Sequence, residues 1–82
     1  MSKKEIQTNF NMSAEFTQYT LKHPGILSDI PKNAQIILVP KNNMKLAEKN
    51  IELGEKIKKN EQKSVVQAIK VGNKWSIEPL KA

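Results

Sequence analysis

Residues 34–44 read Ala34-Gln35-Ile36-Ile37-Leu38-Val39-Pro40-Lys41-Asn42-Asn43-Met44, and this stretch decides the fold. Ile36 to Val39 is a continuous aliphatic run without alternation. Such a run reads as a strand covered on both faces, and therefore as a central one. Pro40 ends it, because a proline cannot donate to a sheet ladder. Asn42 or Asn43 can then cap a helix, since an asparagine side chain accepts from the orphan N–H groups of a first turn. A covered strand running into a helix is the first half of a β-α-β unit, which predicts a parallel, right-handed crossover to the next strand.

The helix that follows is expected from about Met44 to Lys59. Met44, Leu46, Ala47, Ile51, Leu53, Gly54 and Ile57 fill one half of its wheel, and Lys45, Glu48, Lys49, Glu52, Glu55, Lys56 and Lys59 fill the other. Glu52–Lys56 and Glu55–Lys59 are favourable pairs one turn apart. Gly54 sits on the apolar stripe, where a small residue lets the helix approach a sheet. A leucine there should overpack, and an alanine is tolerated if there is room for a methyl group. Asn50 falls in the apolar half, so its amide is expected to bond to a nearby backbone group such as a loop carbonyl; a role in orienting a partner is the sharper alternative.

Two strands finish the chain, Ser64–Val71 and Lys74–Leu80, joined through Gly72-Asn73. A two-residue loop would set Trp75 opposite Lys70 and split the apolar sets. A loop with an odd residue count puts Trp75 and Ile77 on the Ile69 face, and that register is the one expected. Pro79, with Ser76 and Glu78, marks the last strand as an edge. Upstream, a helix is expected from about Glu5 to Lys22, stopped by His23-Pro24-Gly25, then a helical turn between Pro24 and Pro31. The first helix is apolar on two sides: Ile6, Phe10, Ala14 and Leu21 share one face, and Met12, Phe16 and Tyr19 share another. The expected order is α-β-α-β-β, an α/β fold bordering on α+β. It amounts to a three-stranded mixed sheet with two helices, in a single domain over residues 1–82.

The chain has 82 residues, a thin core by any standard. A domain of this size buries only about 60–65% of its unfolded surface. With no cysteine and one histidine, neither disulfides nor zinc can supplement that core. Self-association or a protein partner is the remaining route, and Met12, Phe16 and Tyr19 are the candidate interface. The net charge of +6 invites a nucleic-acid reading, but all fourteen basic residues are lysine. Arginine is the better fork for phosphate and guanine. No apolar stretch approaches the roughly 20 residues of a membrane span, and the N-terminus lacks an apolar signal core. A cytoplasmic protein without membrane contact is expected.

The series His23-Pro24, Ile30-Pro31, Ala34, Val39-Pro40 and Asn50-Ile51-Glu52-Leu53 resembles a family of small prokaryotic proteins catalogued only as a domain of unknown function. The resemblance spans about Phe10 to Val71 and implies no activity. Where that family carries acidic residues after the Val39-Pro40 position, this chain has Lys41-Asn42-Asn43, so no metal or acid role is implied there.

No phosphate loop, nucleophile elbow or paired-acid motif occurs, and no catalytic residue, metal ligand or cofactor is assigned. His23, before a proline at a helix end, is expected to cap the last helical carbonyls. The turn Lys41, Asn42, Asn43 follows a strand and opens a helix, where α/β folds place ligands. It is a candidate anion site, with simple asparagine capping as the alternative. The expected function is a non-catalytic interaction module, a homodimer or the small subunit of a larger assembly. The alternative is a lysine-rich nucleic-acid-binding or antitoxin-like regulatory protein.

Overall fold

Helices flank both faces of the sheet, as the order of elements requires. The computed structural model describes residues 1–80. The elements are α1 (Lys3–Lys22), a 3-10 turn (Pro24–Asp29), β1 (Gln35–Pro40), α2 (Met44–Glu61), β2 (Val65–Val71) and β3 (Lys74–Pro79). α1 begins at a capping box. The Ser2 hydroxyl accepts from the Glu5 N–H, and the Glu5 carboxylate accepts from the Ser2 N–H, both at 3.1 Å. α2 begins at Asn43, whose Oδ1 accepts from the Leu46 N–H. It closes at Gln62 in the left-handed region, φ 52°.

The sheet order is β1-β2-β3, with β1 parallel to β2 and β3 antiparallel to β2. The first strand is therefore an edge and not the centre, which corrects the reading of its aliphatic run. Burial on both faces says nothing about lateral neighbours. Ile37 and Val39 pack under α2, while Ile36 and Leu38 pack on the α1 side, so β1 is covered above and below and still has one free flank.

The hairpin corrects a second expectation. Gly72-Asn73 is a two-residue loop, with Val71 facing Lys74, Lys70 facing Trp75 and Ala68 facing Ile77. Gly72 alone takes a positive φ, 62°, the pattern of a II′ turn whose twist matches the strands. Splitting the apolar residues carries no penalty here because both faces are covered. Val65 and Ile69 join Ile37, Val39, Ala47 and Leu80 under α2. Ala68, Trp75 and Ile77 join Met12, Phe16 and Leu46 under α1.

That register selects the inward face of α1. Trp75 stands on the α1 side, and the Phe16 ring meets it at 5.1 Å between centroids with the planes tilted by 60°. Met12 and Phe16 are 5% and 8% exposed. The expected interface of Met12, Phe16 and Tyr19 is therefore core: two of its residues are buried and Tyr19 is half-buried against them. The face assigned to the core points outward instead, with Ile6, Phe10 and Leu21 at 58%, 70% and 77% exposed.

Candidate functional site

Three places gather side chains that could do something: the end of the parallel strands, the free flank of β1, and the outer face of α1.

At the first, the turn Lys41-Asn42-Asn43 is pinned by backbone bonds. The Lys41 N–H donates to the Lys70 carbonyl at 3.0 Å, and the Asn43 N–H donates to the Pro40 carbonyl at 3.2 Å. Asn43 spends its side-chain oxygen on the helix cap. Asn42 and Asn43 border a hollow of about 240 Å³ with Thr8, Asn11, Glu15 and Lys70; Lys41 is exposed and does not line it. Lys70, the cation nearest the hollow, is hydrogen-bonded to the Glu15 carboxylate. Its ammonium also lies 5.9 Å from the Trp75 ring centroid. The structure thus brings two of the three predicted residues together beside a carboxylate, an arrangement ill suited to holding an anion.

Past the Glu15–Lys70 pair, a second open hollow of about 380 Å³ runs to Tyr19, Lys22, His23 and Asn73. His23 closes α1 through its backbone N–H, which donates to the Tyr19 carbonyl at 2.9 Å. His23 is thus the C-cap of α1, as expected, but through its backbone: its ring stacks on Tyr19 at 4.3 Å and takes no part in the cap. No group of three or more His, Cys, Asp or Glu side chains among the described residues could hold a metal ion.

The free flank of β1 is clasped from both sides. The Asn50 amide donates to the Leu38 carbonyl at 2.9 Å and exchanges two bonds with the Asn9 amide, at 2.9 and 3.1 Å. Asn50 is 5% exposed, and each of its polar atoms is used. This is the bond to a backbone group expected of it, made to a strand carbonyl rather than a loop one, with the addition of Asn9, which nothing in the local sequence signals. One turn earlier on α1, Glu5 accepts at both oxygens from the ammonium of Lys49, the neighbour of Asn50, at 2.9 Å. The ammonium and the Ser2 N–H together lower the Glu5 pKa to about 2. α1 therefore reaches past the sheet edge and ties to α2 by polar contacts, which shields an otherwise uncharged edge strand from pairing with other chains. Beside the clasp only a narrow hollow of about 170 Å³ remains, walled by Ile36, Leu53 and Ile57.

The outer face of α1 differs in kind. From Gln7 to Leu21 its one charged residue is Glu15, which Lys70 occupies. Ile6, Phe10, Ser13, Ala14, Thr17 and Leu21 are all exposed and lie within about 100° of arc at helical spacing. The Thr17 hydroxyl donates to the Ser13 carbonyl at 3.0 Å, so it is turned onto its own helix. The outer face of α2, by contrast, carries Lys45, Glu48, Glu52, Glu55, Lys56 and Lys59, all exposed. The wheel of α1 already contained this stripe; only the choice of which face goes inward was missing.

No described helix is long and apolar enough to cross a membrane. No curated protein and no solved structure matches the chain. A family model does match, over residues 5–80, described as a family of unknown function. That span takes in the whole fold from the Glu5 clasp to Leu80, and the chain belongs to this family, DUF5647.

Proposed function

We propose that this protein is a non-catalytic interaction module that binds another protein surface, its own included, through the outer face of α1. The observation that carries this reading is the contrast between the two helices. In a chain with 27% charged residues, α2 turns a charged face to solvent, whereas α1 turns out Ile6, Phe10 and Leu21 with no free charge among them. Interface centres are depleted in charge and enriched in aromatic residues, whereas solvated helix faces carry interspersed Lys and Glu. The thin core of a small domain gives a physical reason for a partner to cover that face.

The test is capture from a lysate of the native host, treated with nuclease, using the wild-type chain and Phe10→Lys. Phe10 is 70% exposed, so the substitution leaves the core intact. Proteins retained by wild type and lost with Phe10→Lys support the reading. Capture that is equal for the two baits, or that nuclease abolishes, overturns it.

A further inference from the structure

We propose that the free flank of β3 pairs with β3 of a second copy of this chain, antiparallel about a two-fold axis at Ser76, joining the two three-stranded sheets into one. The contact uses a surface other than the outer face of α1 and stands independently of it.

The chain treats its two outer strands differently. On β1 the Asn50 amide occupies the Leu38 carbonyl. β3 has no such cover: β2 is its one strand neighbour, and the 3-10 turn beside it makes no backbone hydrogen bond to it. The two-residue loop fixes which groups face outward. Val71 and Lys74 pair across it, and the Leu80 N–H donates to the Val65 carbonyl at 2.9 Å. Lys74, Ser76, Glu78 and Leu80 therefore turn their backbone groups to β2. The N–H and C=O of Trp75 and Ile77 point the other way, unpaired among the described residues. A second strand must match outward residues with outward ones, which puts the two-fold axis of a centred pair at Trp75, Ser76 or Ile77. An axis at Ile77 wastes the ladder, because it sets Trp75 against Pro79, which has no N–H. An axis at Trp75 sets Glu78 against Gly72 of the hairpin loop. The axis at Ser76 lets Trp75 exchange both backbone bonds with Ile77 of the second copy, and sets Lys74 opposite Glu78 on each side. Lys74, Ser76 and Glu78 are all exposed on one face, and no ion pair among the described residues uses either charge. Guarded edges carry lysines that keep other strands away. Opposite charges spaced equally about Ser76 instead attract a copy, and opposite charges directly across antiparallel strands are favourable.

Charge reversal tests the register. Wild type should have twice the monomer mass by light scattering at high micromolar concentration. Lys74→Glu and Glu78→Lys each set like charges opposite one another, so each should be monomeric with unchanged circular dichroism. Mixed together, the two variants restore both opposite-charge pairs and should form a heterodimer. The absence of cysteine makes cross-linking position-specific. Copies of residue 76 face each other with Cα atoms about 4.5 Å apart, within disulfide reach. Copies of residue 73 lie about six residues apart along the pair, roughly 20 Å. Mild oxidation should therefore link Ser76→Cys into a covalent dimer and leave Asn73→Cys monomeric. A monomeric wild type, a mixture of the two reversals that stays monomeric, or equal linking at both positions would overturn the proposal. Phe10→Lys separates this contact from the α1 face: the dimer should survive it, and a dimer lost with Phe10→Lys would place the contact on α1 and refute pairing through β3.

Discussion

Replacing Gly54 measures how closely α2 presses on the sheet. A Cβ built on Gly54 would lie 2.8 Å from Ile37 Cδ1, 3.0 Å from Ile37 Cγ2 and 3.3 Å from Leu80 Cδ2. Helix propensity favours Gly54→Ala by about 1 kcal/mol. Overpacking a filled core costs about 1–3 kcal/mol. The nearest atom is the end of a side chain and can rotate, but Cγ2 is fixed to the β-carbon, so the contact is relieved only in part. Gly54→Ala should therefore lose about 1 kcal/mol net, with the steric term exceeding the propensity gain. Gly54→Leu, which inserts three more carbons in the same place, should lose about 3 kcal/mol. Urea denaturation followed by circular dichroism reads both, and a partner substitution isolates the cause. Ile37→Val removes Cδ1 and alone costs about 1 kcal/mol. Combined with Gly54→Ala, it should cost at least about 0.5 kcal/mol less than the sum of the two. A Gly54→Ala protein more stable than wild type, or additive effects in the double variant, would refute the close approach of α2 to β1.

Phe16→Ala should destabilise by about 3–5 kcal/mol, because it empties the contact with Trp75 in the α1 core; a cost below about 1 kcal/mol in urea would contradict that burial. The Glu5 clasp should show itself at acid pH. Its carboxyl falls from 4.5 to about 2 on folding. Its contribution is present above the unfolded pKa and is lost as pH drops from about 4.5 toward 2. Glu5→Gln should flatten the loss of stability across that window, seen in denaturation midpoints measured with pH, and an unchanged acid limb would count against the pairing with Lys49. Nucleic acid should bind weakly and without sequence preference: labelled duplex titrated at about 150 mM salt should show little binding, and what binds should fade steeply with added salt. Sub-micromolar, sequence-dependent affinity at that salt would instead favour a nucleic-acid role.

The sequence by itself determined the order of elements, their ends to within about two residues, and the mixed sheet, because these depend largely on local chemistry. A capping serine or asparagine, a proline, or a 3.6-residue period acts within a turn or two of its own position. It also placed Gly54 and Ala47 on the buried stripe of α2 and assigned Asn50 to a nearby backbone group. What it left undecided was sign and neighbourhood. A helix apolar on two sides has no local preference for which side faces in, and an aliphatic strand covered on both faces does not reveal which strands lie beside it. Tertiary structure left β1 at the edge because β3 takes the other flank of β2, and it decided the inward face of α1 through one turn. The two-residue loop at Gly72-Asn73 sets Trp75 on the α1 side, Trp75 draws in Phe16 and Met12, and Ile6, Phe10 and Leu21 are left outside. The clasp on β1 joins residues 41 and 44 apart in sequence, Asn9 to Asn50 and Glu5 to Lys49. Such pairs come together only after the sheet and both helices have packed, so no local pattern in the chain encodes them.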